Sequence, residues 1–127
     1  MSDLNPKPDK IFINGIEYGI YFPLRAIDTI QDKFDISINQ IVQKFNDLRT
    51  RNKFLAFVLE TLIFEANDLT KEQTGVEQVS IKADYIHKRI LPLEAKAAIT
   101  AVYKAYSNGA PETDDSGGDA DPNVQSE

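Results

Sequence analysis

The 127-residue chain predicts an α+β fold, mainly α: an N-terminal β-hairpin packed on a compact bundle of four to five short helices, followed by a disordered acidic C-terminal tail. Three observations predict it. An Asn14-Gly15 pair separates two apolar runs, apolar residues recur at three-and-four spacing from Leu24 to Tyr106, and six acids with no base follow Ala110.

Asn14 and Gly15 both tolerate the positive φ of a type I′ turn, and a two-residue loop fixes the register. Ile13 then faces Ile16, Phe12 faces Glu17, Ile11 faces Tyr18 and Lys10 faces Gly19. One surface collects Ile11, Ile13, Ile16, Tyr18, Ile20 and Phe22 and is expected to face the core. The other holds Lys10, Phe12, Glu17, Gly19 and Tyr21.

Pro23 suits the entry to a first helix, Leu24 to Phe34, with Leu24, Ile27, Ile30 and Phe34 along one side. Ser37 and Gln40 form a capping box, with Ile36 and Ile41 as a hydrophobic staple, so a second helix is expected from Ile38 to about Leu48. Asn52 is the expected cap of a third helix, whose run from Phe54 through Phe64 is apolar nearly all round and therefore central. A break is expected around Lys71 to Gly75. Ser80 is the expected cap of a fourth helix, Ile81 to Ile90, with a single helical turn as the alternative, and Pro92 opens a fifth, alanine-rich helix to about Tyr106, stopped by Asn108-Gly109.

Residues 1–9 read as a flexible polar arm, 10–109 as one hairpin-plus-helices domain, and 110–127 as the disordered tail. The tail carries the whole net charge of −6, which leaves the domain neutral. A neutral body without a basic cluster argues against nucleic acid as a partner. Met1 to Asp9 has two acids, two prolines and no apolar run, so neither a secretory signal nor a membrane partner is expected, and the expected location is the cytoplasm.

The absence of cysteine removes thiol catalysis, thiolate metal sites and disulfides. His87 is the single histidine, and with Asp84 it supplies only half of a metal or acid–base site. Ser37 and Ser80 read as caps rather than nucleophiles. The six glycines fit no phosphate loop, and Val124 stands where a calcium loop beginning at Asp119 needs glycine. No catalytic, cofactor-binding or metal site is expected.

Phe12 and Tyr21 are the candidate partner-binding residues, two aromatics on the outer face of a thin sheet; cover by the arm or the last helix is the competing reading. The sheet edges are open to a partner strand or to self-association, with Lys10 and Pro8 discouraging promiscuous pairing on one side. Tyr85, Tyr103 and Tyr106 read as boundary residues rather than a groove.

The pattern Ile11-x-Ile13-Asn14-Gly15-x-Glu17-Tyr18, a second apolar strand, a helix near Ala26-Ile27 and an Asp32-Lys33-Phe34 close resembles the small tail assembly chaperones of long-tailed bacteriophages and prophages, over roughly residues 10 to 70. The resemblance implies a non-catalytic protein of the bacterial host cytoplasm. It would coat the phage tape measure protein, recruit tail tube protein subunits and leave before the tail is finished. It also implies a longer product made by frameshifting, for which the polar C-terminus suits a junction. The family's binding residues do not carry over one by one. The alternatives are a permanent phage structural protein (a head–tail connector or minor tail protein), another small protein-binding module, or a small hydrolase or nuclease.

Overall fold

Asn14 and Gly15 take φ of 52° and 80°, the left-handed pair of a type I′ turn. They join β1 (Asp9–Ile13) to antiparallel β2 (Ile16–Ile20). The computed structural model describes residues 8–109; the expectations for residues 1–7 and 110–127 lie outside them. The pairs are Ile13 with Ile16, Phe12 with Glu17, Ile11 with Tyr18 and Lys10 with Gly19, the register the turn dictates. Asp9, expected in the arm, pairs with Ile20.

Ile11, Ile13, Ile20 and Phe22 are buried and Tyr18 is half-buried, but Ile16 is 51% exposed. The expectation of a core Ile16 is corrected by its place at the hairpin tip. That tip is held by Glu94 in the first turn of the last helix.

The helices follow the apolar spacing, with ends set by local polar groups. α1 (Leu24–Phe34) buries Ala26 and Ile30 and closes at Asp35 in a left-handed conformation, φ 53°. Leu24, its first residue, is exposed rather than part of the buried side. α2 (Ile38–Asn46) starts where the Ser37 N–H donates to Gln40 Oε1 at 2.8 Å. It stops before Leu48, because Asp47 Oδ1 accepts the Arg49 N–H at 3.0 Å and turns the chain.

The Asp47 carbonyl then accepts the Arg51 N–H at 2.8 Å, so α3 (Arg51–Thr74) begins after Thr50 and Asn52 is not its cap. Gly75, at φ 78°, ends it. This 24-residue helix is the axis of the core, with Phe54, Leu55, Val58, Leu59, Leu62 and Ile63 buried.

α4 (Ala83–Arg89) is shorter than expected, and Ser80 does not cap it. The Ala83 N–H is taken instead by Glu60 Oε1 of α3 at 2.9 Å, while Ser80 Oγ accepts from the Asn67 amide at 3.1 Å. α5 (Pro92–Gly109) extends to Gly109, the last described residue.

β1 packs on α5 and β2 on α3. Gly19 lies under Pro8: a Cβ there would come within 3.1 Å of Pro8 Cβ, whereas Ala66 Cβ of α3, at 3.6 Å, would be in ordinary contact. Just past β2, the Tyr21 N–H donates to the Leu62 carbonyl of α3 at 3.1 Å. Edge-on ring pairs tie the helices together, Phe34 with Phe54 at 4.8 Å and Phe45 with Phe54 at 4.9 Å.

Candidate functional site

The spacing of Ile38, Ile41, Val42 and Phe45 gives α2 an apolar stripe wider than the core can cover. Ile41 and Phe45 are buried, Ile38 is half-buried and Val42 is 46% exposed. Across from them stand Val102, Tyr103 and Tyr106 of α5, and Phe22 lies at the same surface. Between the two helices is an open groove of about 320 Å³ whose one amide side chain is Asn39. Its walls are set by ring packing, Phe45 against Tyr103 at 5.7 Å and Phe22 against Tyr106 at 5.6 Å. Both rings of the last helix line the groove with Val42, so it presents aromatic and branched aliphatic surface. Tyr103 is half-buried and Tyr106 is 37% exposed, so both are boundary residues as expected, and they also line the groove. The signal was present in the stripe of α2 but not in the tyrosines, because the groove exists only where α2 and α5 meet.

Phe12 stands on the outer face of the hairpin, 50% exposed, as expected. Tyr21 is half-buried. It lines a shallow hollow with Arg25, Glu65, Asp68 and Glu72, so among the described residues α3 flanks it, and the expected cover by the arm lies largely outside them. The two aromatics do not form one patch. Tyr21 lies four residues beyond Glu17, the cross-strand partner of Phe12, or roughly 13 Å along the strand direction.

The hollow is organised by an ion pair. Arg25 Nε and Nη2 donate to the two carboxylate oxygens of Glu65, each at 2.8 Å, and Nη2 reaches Asp68 at 3.3 Å. Glu65 is buried and Arg25 is largely exposed. The hydrogen bonds from Glu65, followed by its negative charge, push the Arg25 guanidinium above its ordinary value. This geometry satisfies a buried carboxylate and fixes α1 on α3.

Glu94 organises the opposite end of the hairpin. Its carboxylate accepts the N–H groups of Asn14 at 2.7 Å, Gly15 at 2.8 Å and Leu91 at 2.9 Å. Those bonds, that of Leu91 foremost, hold its carboxyl below the usual carboxylate range. Glu94 is three residues after Leu91, the capping position legible in sequence, whereas its grip on the turn is not.

Asp84 lies 3.9 Å from Lys88, and His87 is exposed. Among the described residues no group of three or more His, Cys, Asp or Glu side chains is placed to hold a metal ion, and no helix is long and apolar enough to cross a membrane. The described surface carries an apolar groove and, apart from it, a half-exposed phenylalanine, Phe12. The chain matches no family model, no curated protein and no solved structure, which leaves its own surfaces and sequence as the guide to function.

Proposed function

We propose that the protein is a non-catalytic phage tail assembly chaperone that binds an apolar helical segment of the tape measure protein in the α2–α5 groove and recruits tail tube subunits. The observation that carries the reading is the groove itself, about 320 Å³ lined by Phe22, Ile41, Val42, Phe45, Tyr103 and Tyr106. An open apolar channel between two helices accepts the buried face of a third, which is how helix-in-groove recognition works. The sequence resemblance of the hairpin and first helix supplies the identity of the partner. Phe12 is a second, independent contact on this reading, and Tyr21 contributes only its exposed portion.

Co-expression tests it. The tape measure protein is expected to stay soluble in the presence of this chain and to aggregate without it, and finished tails are expected to lack the chain. Stoichiometric presence in purified virions would replace the chaperone with a permanent connector or minor tail protein.

A further inference from the structure

A second cleft lies at the other end of α5, between the start of α3, α4 and residues Pro92 to Ile99. It encloses about 450 Å³ over an aliphatic floor that includes Leu55, Ile86, Ile90 and Ile99. Arg51, His87, Lys96 and the Asn52 amide share its lining, and no acidic side chain does. Arg51 lines the cleft, and its Nε is buried without a hydrogen-bond partner, so no internal carboxylate neutralises that nitrogen. The cleft therefore combines two cationic side chains, Arg51 and Lys96, with an apolar floor, the complement of carboxylates carried beside an aliphatic group.

We propose that this cleft is a site for acidic peptide and that its occupant is the chain's own segment 110–127. The charge pattern favours that segment. It carries Glu112, Asp114, Asp115, Asp119, Asp121 and Glu127 with no Lys or Arg, and Val124 is its one large apolar residue. Asp119 and Asp121 on Arg51 and Lys96 would place Val124 over the floor. Reach also favours it: along α5, Lys96 is about 20 Å from Gly109, whereas residues 110–127 span up to about 60 Å when extended. Tethering raises the local concentration of such a segment into the millimolar range, so a shallow site can be filled by a weak ligand. The site stands apart from the α2–α5 groove and does not depend on the chaperone reading.

The test uses the full chain, whose lack of cysteine permits a single nitroxide label at Ser126→Cys. Paramagnetic broadening is expected at the amides of His87, Ala95 and Ile99. It is expected to disappear on Asp119→Asn with Asp121→Asn, which leaves the folded body untouched, on Arg51→Gln, and at high salt. Unbroadened cleft amides, or broadening that survives neutralisation of the tail acids, would overturn the proposal. Mixing spin-labelled chain with isotope-labelled, label-free chain separates the remaining occupant: broadening that persists undiminished in the mixture would assign the cleft to a second copy's tail and overturn the intramolecular contact.

Discussion

The Glu94 carboxylate accepts the Gly15 N–H at 2.8 Å, so the first turn of the last helix holds the tip of the first hairpin. Three backbone donors stabilise the charged form, and the carboxyl titrates below the usual glutamate range. The resulting stabilisation is complete above the unfolded glutamate value, about 4.3, and is lost as pH falls through the lower folded value. Thermal unfolding followed by circular dichroism is therefore expected to show Tm dropping in that acid window. Glu94→Gln is expected to lower Tm at neutral pH and flatten the acid branch. An unchanged acid branch would remove Glu94 from the account.

Gly15 sits at φ 80° with open space around it, so the obstacle to a side chain there is the backbone alone. Gly15→Val is expected to cost roughly 1 kcal/mol or more, because a β-branched residue is forced into the left-handed region. Gly15→Asn, which tolerates that region, is expected to cost less. Denaturant midpoints for the two variants decide the point.

Arg25 and Glu65 form a bidentate pair with one buried partner. Arg25→Met alone strands the Glu65 carboxylate, whereas Arg25→Met with Glu65→Gln removes the stranded charge. The double variant is expected to unfold at a higher temperature than Arg25→Met alone. Additive effects in the mutant cycle would show that the pair is uncoupled.

Val42 and Tyr106 are 46% and 37% exposed, so Val42→Asp and Tyr106→Ala should leave the fold intact while altering the groove. If the groove is the hot spot, each is expected to weaken the tape measure complex by about 2 kcal/mol or more. Phe12→Ala and Tyr21→Ala supply the comparison at the hairpin. Calorimetric titration of the four variants ranks the two surfaces, and full affinity in both groove variants would relocate the partner.

Interactions close in sequence were legible. Asn14-Gly15 dictated every strand pair, and Ser37 with Gln40 located the start of α2, because each signal depends on residues within one turn of the chain. Tertiary caps were not. Glu60 displaces Ser80 at the start of α4 from 23 residues away, a competition that no local pattern records. Ile16 has the right parity for the core yet stands beside the turn, 51% exposed. For the site, the stripe Ile38-Ile41-Val42-Phe45 was visible, but whether Val42 would be covered depended on how closely α5 approaches α2. Phe12 and Tyr21 share a face by alternation, and only the placement of α3 distinguishes the exposed ring from the half-buried one.

Tyr21 donates its N–H to a carbonyl in the middle of α3, and Gly15 donates to a carboxylate 79 residues downstream. During synthesis the hairpin therefore leaves the ribosome well before either acceptor. Its turn can form early, but its two anchorages mature in sequence, first when the middle of α3 emerges and later when α5 does. Exchange at the Gly15 amide is therefore expected to slow only once α5 has docked, reporting from the first hairpin an event that waits on Glu94.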